Sequence, residues 1–129
     1  MAEVAATLPD NRWRVGHFGL LASIVAYTEE VAWLDRLLAT LADRRDLLAN
    51  LLAERLPALS WQPPEASYLA WLDCASVDGD AAERFLRHGV ALEAGRAFGA
   101  PGAEHVRLNF ATSPEILTEA IDRMAAALS

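Results

Sequence analysis

The chain has 129 residues, 53% of them hydrophobic and 22% charged, a composition that suits one folded domain and lies outside the disordered range. Its formal net charge of -7 argues against nucleic acid and anionic membrane surfaces as partners, because both select for clustered basic side chains. Cys74 is the only cysteine, so internal disulfides and cysteine-rich zinc sites are excluded and nothing demands an oxidising compartment. No signal-like or membrane-spanning run is read in the sequence, and a cytoplasmic setting is the expectation. All eleven basic residues are arginine, so no lysine amine is available for Schiff-base chemistry.

In chain order, a first helix is expected from about Trp13 to Tyr27. Its apolar residues Val15, Phe18, Leu20, Leu21, Ile24 and Val25 spread around the axis, so it expects cover on most sides. A second helix is predicted from about Glu29 to Leu56, carried by Trp33, Leu34, Leu37, Leu38, Leu41, Leu48, Leu51 and Leu52 and stopped by Pro57. Its length of roughly 39 Å matches the width of a compact domain of this size. Short strands follow at Leu59 to Gln62 and Tyr68 to Asp73, the second with apolar residues on both faces and therefore central in its sheet.

Asp80 and Glu83 have the spacing of a capping box for a helix to His88, with Gly89 suited to its C-terminal cap. A third strand is expected at Val90 to Leu92, then a Gly- and Ala-rich loop from Glu93 to Glu104, then a fourth strand from His105 to Phe110. Ser113-Pro114-Glu115 opens a last helix. The order gives a two-layer α+β domain with a four-stranded sheet and helices mainly on one face. The expected layout is a single domain over residues 1–129, with a helical lead-in at 12–56 and an α+β core at 57–129.

The fourth strand alternates cleanly. Val106, Leu108 and Phe110 share one face; His105, Arg107 and Asn109 share the other. An arginine there, beside a long glycine-rich loop, either presents its fork of donors to a carboxylate or phosphate, or sits on a solvated face paired with an acidic neighbour. Gly95, Gly99 and Gly102 do not form a phosphate-cradling motif and read as a flexible or mobile connection. His17, His88 and His105 lack metal-ligand spacing, and Cys74 reads as a small buried apolar residue. Trp13, Trp33, Trp61 and Trp71, with the broadly apolar first helix, suggest more apolar surface than the chain alone covers.

The runs Pro64-Glu65-Ala66-Ser67-Tyr68-Leu69-Ala70-Trp71-Leu72-Asp73, Phe98-Gly99 to Gly102, and Val106-Arg107-Leu108-Asn109-Phe110-Ala111-Thr112 resemble the C-terminal part of class I/II aminotransferase-fold enzymes. More narrowly, they look like the cystathionine β-lyase group typified by MalY and PatB. His17-Phe18-Gly19-Leu20 and Ala32-Trp33-Leu34-Asp35 are similar to that group's helical lead-in. Two departures stand out: Ser67 where threonine is expected, and Glu93-Ala94 where a small polar residue and proline are expected.

The resemblance implies that Arg107, with Asn109 beside it, binds the α-carboxylate of an amino-acid substrate. It implies a parent homodimer whose larger domain holds pyridoxal phosphate on a lysine, the cofactor acting as electron sink for β-elimination of a sulfur leaving group or for transamination. This chain, lacking lysine, is then expected to bind no cofactor and to be inactive alone. Alternative readings are a stand-alone module for small carboxylates and a dimerisation module without catalysis.

Overall fold

The computed structural model describes residues 16–129. They belong to two compact units, the first ending at Leu38 and the second running Ala39–Ser129. Trp13 and Val15, in the expected first helix, lie outside the described residues.

In the first unit, helix α1 (His17–Thr28) starts from an extended Gly16. Ser23 and Thr28 turn their hydroxyls back onto the carbonyls of Gly19 and Ile24, at 2.8 and 2.7 Å, so both polar side chains are satisfied within the helix. No residue of α1 is buried. Phe18, Leu20, Leu21, Ile24 and Val25 remain exposed, and nothing approaches the open side of Gly19 within 4 Å. Helix α2 (Val31–Arg55) begins in this unit, where Val31, Trp33, Leu34 and Leu38 are exposed as well.

The second unit takes up α2 at Ala39. Leu48, Leu51 and Leu52, at the three- and four-residue spacing of one helix face, are buried together with Leu56 just beyond the helix. Four antiparallel strands follow: β1 (Ser60–Trp61), β2 (Leu69–Asp73), β3 (Glu93–Ala94) and β4 (His105–Asn109), in the order β1-β2-β4-β3. β2 is central, as its two-sided apolar pattern requires. Ala70 faces Leu108 and Leu72 faces Val106. All four are buried on one side, against Phe85 of helix α3 (Ala81–Arg87) and Leu117, Ile121 and Met124 of helix α4 (Pro114–Leu128). The α+β arrangement of the sequence reading is the one found.

Local chemistry sets the helix starts. The Asp80 carboxylate accepts from the Glu83 N–H at 3.1 Å, and the Ser113 hydroxyl from the Ile116 N–H at 3.3 Å with Pro114 in the first turn. Asp80 also pairs with Arg96. The Glu83 N–H first, and Arg96 second, hold its carboxyl below the ordinary 3.8. A depressed carboxylate contributes stability above its ordinary value and loses it as pH falls through the folded one. Asp80→Asn, which keeps a capping oxygen, is therefore expected to lie below the wild type in urea stability at pH 7, with the gap closing towards pH 3. A gap unchanged with pH would contradict this account.

Two expectations are corrected. The third strand pairs at Glu93–Ala94, not at Val90 to Leu92. The Val90 N–H instead bonds Phe85 O at 3.0 Å and the Gly89 N–H bonds Leu86 O at 2.9 Å, with Gly89 at φ +80: the closing motif of a helix C-terminus, which commits Val90 to α3 before any strand can begin. The glycine-rich segment is also no plain loop. It folds into two 3-10 turns, Gly95–Phe98 and Ala100–Gly102. Gly95 and Gly102 are buried against each other: a Cβ on either would overlap the carbonyl of the other, and one on Gly95 would lie 2.6 Å from His105 O.

Candidate functional site

Alternation along β4 places Arg107 on the face away from the core, half-buried, directly opposite Trp71 of β2 and Glu93 of β3. Around it stands an aromatic cluster. Trp71 stacks on His105 with centroids 5.3 Å apart, and Phe98 meets Trp71 edge-to-face at 5.5 Å. The Arg107 guanidinium carbon lies 4.8 Å from the centre of the Phe98 ring. Phe98 reaches this position because the first 3-10 turn folds back at the Gly95–Gly102 contact. At Gly102 a Cβ would come within 3.2 Å of the Trp71 indole, so the missing side chain admits the tryptophan too.

The other described arginines are accounted for within the chain. Arg45, Arg55, Arg87, Arg96 and Arg123 pair with acidic side chains. Arg44 donates to Thr112 O at 3.1 Å and Arg84 to Ala127 O at 2.7 Å, while Arg36 also has a partner. Arg107 has the Phe98 ring and, among the described residues, no hydrogen-bond acceptor. Glu93, in register beside it, makes no ion pair with it. Arg107 is also one of the residues lining an open cleft of about 370 Å³, with Leu69, Leu92, Glu93, Leu108, Asn109 and Ile116, and its five N–H donors are left without an acceptor among the described residues.

Asn109 lines the same cleft, but its carbonyl oxygen is committed, accepting from the Ala111 N–H at 2.9 Å to turn the chain out of β4. Its amide NH₂ is what it can offer a ligand. Sequence reasoning thus names Arg107 and Asn109 and misses Phe98, Trp71 and Glu93. The signal for the last two was the strand pairing itself, since once β2 and β3 are set beside β4 they face Arg107. Nδ1 of His105 is buried with no hydrogen-bond partner among the described residues. His17 begins α1 and His88 ends α3, apart from this cluster in sequence and in element. Among the described residues no group of three His, Cys, Asp or Glu side chains is arranged to hold a metal ion.

Cys74 is buried, and burial first and the neighbouring Asp73 charge second push its thiol up to about 11. The nucleophilic form is the thiolate. At pH 8 the native chain should therefore resist a thiol-specific disulfide reagent that labels the urea-unfolded chain at once; equal rates would show the thiol to be accessible.

No family model matches the chain. A candidate cystathionine β-lyase of Mycobacterium leprae is 41% identical over 128 residues, covering 87% of this chain and 32% of that protein. Cystathionine β-lyase PatB of Bacillus subtilis is 34% identical over 116 residues, covering 87% of this chain and 30% of PatB. In structure, the chain superposes along its whole length on 33% of a pyridoxal-phosphate-bound C-S lyase from Staphylococcus hominis complexed with L-cycloserine, with a TM-score of 0.85 at 28% identity. The chain spans about a third of the length of these relatives. Among the described residues, no helix is long and apolar enough to cross a membrane.

Proposed function

We propose, on the premise that this chain is a C-terminal small domain of the fold-type I pyridoxal-phosphate enzymes, of the MalY/PatB cystathionine β-lyase group, that it binds and orients the α-carboxylate of an amino-acid substrate through Arg107. One observation carries this reading: Arg107 is among the residues lining a cleft, and no acceptor among the described residues takes its donors. A planar fork with free in-plane N–H groups matches a carboxylate in two parallel hydrogen bonds. The Asn109 amide lies within the same cleft and adds a neutral donor.

The cofactor itself does not fit this chain's residues. When bound to an enzyme it supplies an electron sink, and it is anchored through a lysine amine, which is absent here. In the proposed assembly that anchor belongs to a larger domain, completing a homodimer that lyses a C–S bond or transaminates. The chain works as one domain whose polar sheet face closes on the substrate. The exposed apolar residues of α1 suit such a partner, because a helix apolar around its axis is stable only when covered.

Titration of the ¹⁵N-labelled chain with L-alanine and L-alaninamide tests the reading. The carboxylate ligand is expected to move the Arg107 Nε–Hε resonance, saturating in the millimolar range, and the amide is expected to leave it in place. Equal responses to the two ligands, or none to either, would remove the assignment.

A further inference from the structure

Phe98 is half-exposed at 53%, yet its ring is braced through a chain of contacts: Trp71 meets it edge-to-face at 5.5 Å, and Trp71 is itself stacked on His105 at 5.3 Å. On the ring rests the Arg107 guanidinium, its carbon 4.8 Å from the centroid. Among the described residues the guanidinium has this ring contact and no hydrogen bond or ion pair. An arginine side chain free in water samples many rotamers, and ordering it at the moment of binding weakens affinity. A ring under the guanidinium face removes much of that cost without using any N–H donor, since the donors lie in the guanidinium plane and the ring attracts its face. A carboxylate partner would also hold the arginine, but it would occupy the donors a substrate needs. Glu93, directly across in β3, is close enough in register to take that part and does not.

We infer that Phe98, braced by Trp71 and His105, is the positioning residue of Arg107: an aromatic platform that sets the guanidinium with its donors open to a carboxylate. This rests on the carboxylate reading above and deepens it. The two 3-10 turns then serve the site as the mount of the platform, pinned at the Gly95–Gly102 contact.

The full chain carrying Phe98→Leu or Phe98→Tyr tests the inference. In the wild type the Arg107 Hε resonance should be shifted upfield by the ring, and L-alanine should displace it further. Phe98→Leu should abolish the ring shift, quicken Arg107 side-chain motion in ¹⁵N relaxation and weaken L-alanine about two- to fivefold, whereas Phe98→Tyr should restore all three. Since Phe98 is half-exposed and outside the core, both variants should fold, as their backbone spectra will report. Wild-type L-alanine affinity in Phe98→Leu, or a failure of Phe98→Tyr to rescue, would overturn the platform while leaving the carboxylate site standing. A wild type that does not distinguish L-alanine from L-alaninamide would overturn the site, and the platform with it.

Discussion

Alanine at Gly95 is expected to lower the stability of the chain by about 3 kcal/mol or more, the high end for forcing atoms into a packed interior. The clash is local. The added methyl would meet the carbonyl oxygens of Gly102 and His105, both main-chain atoms, so a rotamer change cannot relieve it and the backbone must part. Parting them breaks the link between the 3-10 turns and β4, and with it the seat of Phe98. Two observables should therefore fall together in Gly95→Ala: the urea midpoint, and the upfield position of the Arg107 Hε resonance. Gly99→Ala is the control. Its φ of +111 carries some strain, but the nearest atom is 3.8 Å away, so its loss should be smaller. A Gly95→Ala variant within 1 kcal/mol of the wild type would contradict the close approach.

The second large effect concerns ligand affinity rather than stability. Arg107→Leu is expected to abolish the difference between L-alanine and L-alaninamide, with the urea midpoint almost unchanged because Arg107 is half-buried and pairs with no acidic side chain among the described residues. Two charge-assisted hydrogen bonds at about 1.5–3 kcal/mol each correspond to a loss of a hundredfold or more. Arg107→Lys separates charge from shape. It keeps the charge but offers a single ammonium in place of the fork and changes the contact with the Phe98 ring, so it should recover only part of the affinity. Wild-type affinity in Arg107→Lys would mean that charge alone suffices and that neither fork nor platform matters.

Features that depend on a few consecutive residues were legible in the sequence. Ser113-Pro114-Glu115 opens α4 as read, Asp80 caps α3 through the Glu83 N–H, and Gly89 takes the left-handed turn at its end. The alternation of Val106 and Leu108 against His105 and Arg107 fixed which face of β4 meets the core. Features that depend on distant pairs were not. Val90 to Leu92 is the apolar run, so local pattern places the strand there, but Val90 is taken by the helix end and pairing with β4 waits until Glu93. Gly95 and Gly102 look like flexible spacers when counted along the chain, and only their mutual contact shows that they are packed against each other.

The site divides in the same way. Arg107 and Asn109 stand out on one strand. Phe98, nine residues before Arg107, comes to it only through the turn that those glycines permit. Family likeness implied the role proposed for Arg107, and the structure supplies its surroundings.

The contact between Gly95 and Gly102 ties the ends of a short excursion together, so the residues between them form a ring closed at its neck. Phe98 leans on the sheet, but beyond it the rim, Gly99 to Pro101, is exposed. Lengthening or recomposing the stretch around Gly99 to Pro101 need not disturb β4 or the helices below, while the same change at the neck would be felt throughout. A family that kept the two glycines could vary the rim freely, and with it what passes over the arginine, without rebuilding the fold that holds it.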